Sequence, residues 1–187
     1  LRAAFMASEE SGDVEPEPEN PEHARTIARQ AHRLLGNWSH LPGTCDDGSI
    51  DGEALSDWID KARSLARAVG REEIADDQIG NMLSASPDGA DGNWPAEGVR
   101  EVLDFFQSKP MLEGFWIGEM NRRGVTTRMP RDGGRLERQE AAKYRGWARA
   151  IAYEHPHTAK ALTRLAEHYE EDARREDERA ERLDWQF

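Results

Sequence analysis

The C-terminal part of the chain repeats small and apolar residues at intervals of seven. In the last segment, where Glu176 interrupts the row, the repeat consists of Leu162, Ala166, Tyr169, Ala173, Ala180 and Leu183. The preceding segment has the same interval at Ala141, Tyr144, Ala148 and Ile151. This interval keeps one helix face apolar, and small residues let two such faces approach closely. The pattern predicts a long antiparallel αα-hairpin over residues 134–184, with a bend at His155-Pro156.

Apolar residues also recur at helical spacing through the rest of the chain after residue 20. Five further stripes of this kind occur within residues 27–38, 55–69, 74–83, 99–106 and 112–120. Asp51 is a predicted N-cap, Gly70 a predicted helix stop, and Pro95 is predicted in the first turn of its helix. Only a few residues near Val125 suggest a strand.

These stripes predict an all-α fold, an irregular bundle of about seven helices ending in the hairpin. Tryptophans that follow Asn or Asp occur at unequal spacings, without the fixed period of known helical repeats. A solenoid-like stack of hairpins is the alternative architecture.

The first 20 residues differ in composition from the rest of the chain. Residues 1–6 resemble the end of a helix, and the following stretch is acidic and contains three prolines within residues 16–21. Such a segment buries too little apolar surface to order itself. We therefore predict the end of an upstream element plus an acidic linker in residues 1–20, and a single α-helical domain over 21–187. This organisation is expected of the C-terminal part of a larger protein, and a frayed terminus is the alternative.

Composition narrows the class of protein. The formal net charge is -12, and a negative surface repels nucleic acid and anionic membranes on average. The sequence contains no apolar run long enough to span a bilayer and no secretory signal pattern. Its single cysteine, Cys45, excludes an internal disulfide and favours a reducing compartment. We accordingly expect a cytoplasmic protein without membrane contact.

One segment reverses the negative charge of the chain. Residues 122–149 contain nine basic and three acidic side chains, and Gly133-Gly134 precedes a predicted helix start. Backbone N–H groups at a helix N-terminus and nearby arginines bind anions. The candidate anion-binding residues are Arg122, Arg123, Arg128, Arg131, Arg135 and Arg138. The alternative is that these arginines pair with the acidic terminal helix, which needs no ligand. Nucleic acid is disfavoured because Tyr144 and Trp147 fall on the predicted packing face.

Signals for metal binding or catalysis are sparse. His168 and Asp172 lie four residues apart, and His155 and His157 flank a proline, but a zinc site needs three or four protein ligands. Cys45 has no neighbour that would activate it as a nucleophile. We predict no metal ligands, no catalytic residues and no cofactor, and an enzyme is the third-ranked class.

The terminal helix favours an interaction function. At ~1.5 Å per residue it would be about 42 Å long, against about 31 Å for its partner helix. Its far end therefore extends past its partner helix. We expect it to dock on the N-terminal helices of the same chain, and the alternatives are a contact with another molecule or a free end in solvent. Trp185 and Phe187 are candidate partner-binding residues there. The sequence predicts a non-enzymatic α-helical protein-interaction domain, or alternatively an anion- or nucleic-acid-binding module that uses the arginine-rich loop 122–138. The expected partner is another protein or an upstream domain of the same polypeptide, and a second copy of the chain is a further candidate.

Overall fold

The described residues are helical, as the sequence predicts. A computed structural model describes residues 40–122 and 133–184, and these ranges contain six helices and no strand. The helices are α1 (Gly52–Arg67), α2 (Glu72–Leu83), α3 (Glu97–Phe106), α4 (Lys109–Arg122), α5 (Arg135–Ile151) and α6 (Pro156–Asp184). The all-α class is confirmed. The predicted helix over 27–38, the linker in 1–20 and the extended residues near Val125 lie outside the described residues.

The first described helix begins and ends where the sequence predicts. The Asp51 carboxylate accepts hydrogen bonds from the backbone N–H groups of Glu53 and Ala54, both at 3.0 Å, which caps α1. Gly70 adopts a φ of 66°, a conformation that favours glycine, just after the helix ends. The buried face is narrower than the predicted stripe, because Leu65 is 56% exposed.

Helices α2 and α4 contact each other backbone to backbone through three glycines. A Cβ atom on Gly80 would lie 2.7 Å from the backbone nitrogen of Phe115, and one on Gly114 would lie 2.7 Å from the carbonyl carbon of Asp77. A Cβ on Gly118 would lie 2.9 Å from the Asn81 carbonyl oxygen. No side chain fits at these points, so the glycines set the distance between the two helices.

The loop before α3 corrects one prediction. Pro95 is not in the first turn of the helix; it precedes Ala96, the residue before the helix start at Glu97. The backbone N–H of Ala96 donates to the Ser86 hydroxyl and the Pro87 carbonyl, each at 2.9 Å. These bonds hold the loop to the end of α2, so the helix begins only after Ala96.

A buried guanidinium organises this same loop. Arg100 is 3% exposed and pairs with both carboxylate oxygens of Asp91 at 2.7 and 2.8 Å. It also donates to the carbonyl oxygens of Asn93 at 2.6 Å and Pro95 at 2.5 Å. Hydrogen bonds from Arg100 hold the pKa of Asp91 well below its ordinary value. Hydrogen bonds to the Arg100 side chain of α3 therefore hold the conformation of the loop 91–95.

Helices α5 and α6 contact each other extensively. Gly134, at the start of α5, donates to Asp177 near the end of α6, and Arg145 pairs with Glu170 further along. The heptad residues of α5 and those of α6 from Leu162 to Ala173 are buried, and Ala180 is half-buried. Helix α5 ends at Ile151, four residues before the predicted bend at His155-Pro156. The next three residues form a turn that is exposed to solvent.

Aromatic side chains join the two described parts of the chain. Trp94 stacks on Phe115 at 5.0 Å between ring centroids and meets Tyr144 edge-on at 6.0 Å. Tyr144 in turn stacks on Tyr169 of α6 at 5.5 Å. Tyr144 is buried, as the sequence predicts, and it is therefore not exposed for base stacking.

An aspartate on α3 caps the N-terminus of α6. The Asp104 carboxylate accepts from the backbone N–H groups of His157 and Thr158 at 2.8 and 3.0 Å, and from the Thr158 hydroxyl at 2.6 Å. A carboxylate is stabilising there because the first N–H groups of a helix have no partner within the helix. The cap comes from 53 residues away in the sequence.

We expect Asp104→Ala to lower the free energy of unfolding by about 1–2 kcal/mol, the usual cost of removing an N-cap. The substitution leaves the fully buried Thr158 hydroxyl without its acceptor, which adds to the loss. Urea unfolding followed by circular dichroism measures the change. Asp57→Ala removes an exposed carboxylate from α1 and serves as the control. Equal midpoints for the two variants would show that the cap does not contribute.

Candidate functional site

Half of the six arginines predicted to bind an anion lie in the described part of the chain. Arg135 and Arg138 are both exposed on the first turn of α5. Arg122 ends α4 and donates from Nε to the Ser84 hydroxyl at 2.9 Å. The other predicted site residues lie outside the described residues: Arg123, Arg128, Arg131, Trp185 and Phe187.

An internal carboxylate occupies the predicted anion position at the start of α5. Asp177 accepts from the backbone N–H of Gly134 at 2.8 Å and pairs with the Arg138 guanidinium at 2.6 and 3.1 Å. Hydrogen bonds from Arg138 and then from Gly134 lower the pKa of Asp177 to about 2. At this helix end, the glycine N–H and one arginine bind a side chain of the same protein.

Other basic residues of α5 and α6 differ in whether they are paired. Arg145 lies 2.8 Å from Glu170, and Arg179 lies 2.7 Å from Glu176. Arg149 and Lys160 form no ion pair with any residue in the ranges 40–122 and 133–184. Both are exposed, so their charges are available to a partner.

A groove follows the outer face of α5 and α6, and we refer to it as the α5–α6 groove. Two adjoining cavities of about 660 and 400 Å³ form it, and both are lined by Arg145 and Arg149. The small residues that line it are Ala141, Ala142, Gly146, Ala148, Ala152 and Ala159. Lys160 lines one end, and a Cβ on Gly146 would meet no atom within 4 Å. The groove is thus lined by small side chains and by cations, with Glu170 as its one acidic lining residue among those described.

The sequence contains a signal for this groove that the seam pattern concealed. Arg138, Ala142, Arg145 and Arg149 follow one another at three- and four-residue spacing along α5, on the side next to the buried seam, and Gly146 lies four residues after Ala142. Residues with this spacing share one helix face. A second, basic face of α5 could therefore have been predicted beside the seam.

A second cavity, of about 290 Å³, lies between the loop that follows α2 and the helices α4 and α5, and we call it the tryptophan cleft. Trp94 and Trp147 line it, with ring centroids 5.9 Å apart, and Lys143 Nζ lies 4.7 Å from the Trp147 centroid. Glu119 accepts a hydrogen bond from the Tyr144 hydroxyl at 2.5 Å. Burial raises the pKa of Glu119 and, together with Glu119 itself, that of Tyr144. The cleft therefore places the Lys143 ammonium group and the Glu119 carboxyl group beside two tryptophan rings.

A third cavity, of about 650 Å³, lies between α4 and α6, and we call it the α4–α6 groove. Leu112 and Trp116 form its apolar floor together with the buried Ala161. The Arg164 guanidinium lies 4.4 Å from the Trp116 ring centroid. This groove is larger than the tryptophan cleft and has a more apolar lining.

The side chains considered above for metal binding and catalysis include His168 and Cys45, which both lie in the described part of the chain. His168 Nε2 lies 3.3 Å from Asp172, and its ring meets Trp116 edge-on at 5.7 Å. Within residues 40–122 and 133–184, no three histidine, cysteine or acidic side chains cluster in a way that would hold a metal ion. Cys45 is an exposed free thiol.

Comparisons with known proteins give this chain no relative. No protein-family model, no curated protein and no solved structure matches it. None of the helices that the structure describes has the length and apolar character needed to cross a membrane.

Proposed function

We propose that this chain is a non-enzymatic α-helical protein-interaction domain whose α5–α6 groove binds an acidic segment of a partner protein. The observation that carries the proposal is the pair of exposed cations without an ionic partner in the described residues, Arg149 and Lys160, at the edge of a floor of small side chains. Small floor residues let a second backbone approach closely, and cations at the edge attract carboxylates.

The same proposal includes the finer architecture, an irregular bundle of about seven helices that ends in a long antiparallel hairpin. The ion pair between Arg145 and Glu170 and the contact of Gly134 with Asp177 support the hairpin. We also propose the cytoplasm as the location, because the exposed Cys45 thiol is stable in a reducing compartment.

Binding of an acidic peptide is favoured over binding of free anions or nucleic acid. At the start of α5, the Gly134 N–H and the Arg138 guanidinium already donate hydrogen bonds to Asp177. A phosphate would have to displace this carboxylate. Arg149 and Lys160 instead lie over a methyl-lined surface, which suits a helix with carboxylates and small side chains. The rest of the arginine-rich loop, 123–132, lies outside the described residues. The alternative that this loop binds anions or nucleic acid is tested by the oligonucleotide comparison below.

The proposal predicts salt-sensitive binding of an acidic helical peptide. The probe is a fluorescein-labelled peptide of about 20 residues built from glutamate and alanine, and its fluorescence anisotropy is measured against protein concentration. We expect the double variant Arg149→Ala, Lys160→Ala to weaken binding about tenfold, since each lost charge contact contributes on the order of 0.5–1 kcal/mol. Raising the salt concentration should weaken binding by the wild-type protein.

The control removes two positive charges elsewhere. Lys61 and Arg174 are exposed and lie outside the groove, so Lys61→Ala, Arg174→Ala has the same net charge as the test variant. Equal losses in both double variants would contradict a docking site in the groove and indicate attraction to net charge alone. Tighter binding of a single-stranded oligonucleotide than of the peptide would favour the nucleic-acid alternative.

A further inference from the structure

The α4–α6 groove differs from the α5–α6 groove in its chemistry. Its floor is made of large apolar side chains, Leu112 and Trp116, whereas methyl groups floor the other groove. A lining of this kind, with a few charged groups at the edge, is typical of sites for small molecules. The volume of about 650 Å³ falls within the range of such sites.

Positive charge lies next to this apolar floor. Lys160 and Arg164 are four residues apart on α6, so their side chains share the helix face that borders the groove. Neither forms an ion pair with any described residue, whereas Lys109 on α4 lies 3.9 Å from Glu113. The acidic Glu167 lies almost one turn beyond Arg164. Lys160 and Arg164 are therefore two cations of the groove lining that form no salt bridge within the described ranges, and the lining also contains Glu113 and Glu167.

Trp116 carries a polar atom that lacks a hydrogen-bond partner. Its indole Nε1 is buried and meets no acceptor among the described residues, an arrangement that costs free energy. The Arg164 guanidinium stacks on the same ring.

We propose that the α4–α6 groove binds a small amphipathic carboxylate, such as a medium-chain fatty acid. The alkyl chain lies on Leu112 and Trp116, and the carboxylate pairs with Arg164 and Lys160. The site adjoins the surface proposed for protein binding and overlaps it at Lys160 and Thr163.

Nuclear magnetic resonance of the tryptophan indole groups tests this site directly. The protein is labelled with ¹⁵N, the Trp116 indole resonance is assigned with Trp116→Phe, and decanoate is titrated below its micelle concentration. We expect a saturable shift of the Trp116 resonance and smaller shifts of the other five indoles. Arg164→Gln should weaken binding about tenfold, the usual effect of losing a charge-assisted hydrogen bond. Arg174→Gln, an exposed position on the same helix outside the groove, should leave the affinity unchanged.

Decyltrimethylammonium separates the role of the carboxylate from that of the alkyl chain. It has the same chain length and a positive charge, so the proposal expects no saturable shift of the Trp116 resonance. An equal response to both surfactants, an absent response to decanoate, or unchanged decanoate affinity in Arg164→Gln would each overturn the proposal. These outcomes do not involve the acidic peptide, so failure here is distinguishable from failure of the proposed protein-binding function.

Discussion

Replacing Gly114 with alanine is expected to lower the free energy of unfolding by about 3 kcal/mol. The new methyl group would lie 2.7 Å from the carbonyl carbon of Asp77, and a backbone group cannot rotate away as a side chain can. Helices α2 and α4 would have to separate, which loosens the packing of buried Met111 and Phe115 against α2. Urea denaturation followed by circular dichroism measures the loss.

Gly146 provides the matched control for this substitution. It also lies inside a helix, but a Cβ there would meet no atom within 4 Å. Gly146→Ala should therefore stabilise the protein by up to about 1 kcal/mol, the difference in helix propensity between the two residues. If both substitutions shifted the denaturation midpoint in the same direction, the close helix contact at Gly114 would be contradicted.

Replacing Arg100 with methionine is expected to cost about 2–3 kcal/mol, because buried hydrogen-bond acceptors lose their donor. The carbonyl oxygens of Asn93 and Pro95 would be left without the guanidinium, and Asp91 would lose its ion pair. Because the loop also positions Trp94, we expect a change in tryptophan emission along with the lower thermal midpoint. Differential scanning calorimetry and fluorescence measure the two effects.

A surface cation provides the comparison for Arg100. Lys61 is exposed on α1, and Lys61→Met should leave both the midpoint and the emission spectrum unchanged. An Arg100→Met protein with the wild-type midpoint would mean that water replaces the guanidinium at no cost. The loop geometry would then not depend on this residue.

The sequence predicts the helices well because each start or stop signal acts on backbone groups only a few residues away. Asp51 caps α1 through N–H groups two and three positions away, and Gly70 stops it through its own φ angle. The prediction that Pro95 lies in the first helical turn was wrong. The start of α3 depends on hydrogen bonds from the Ala96 N–H to Ser86 and Pro87, which the local sequence does not indicate.

Contacts between distant residues could not be derived in the same way. The spacing of Gly114 and Gly118 is visible in the sequence, but the facing Gly80 is known only once α2 and α4 are placed together. Similarly, Asp104 has no local feature that assigns it to the start of α6. The grooves arise from the angles between helices, so the sequence identifies their residues only in part. It marks Arg138 as a candidate, but not Arg149, Lys160 or Arg164.

The contact between Trp94 and Trp147 gives the protein an intrinsic optical reporter. The two indoles belong to segments on either side of residues 123–132, and their centroids lie 5.9 Å apart. Exciton coupling between such close chromophores is lost once they separate. Near-ultraviolet ellipticity therefore follows the docking of the C-terminal pair of helices onto the rest of the chain, without any added dye.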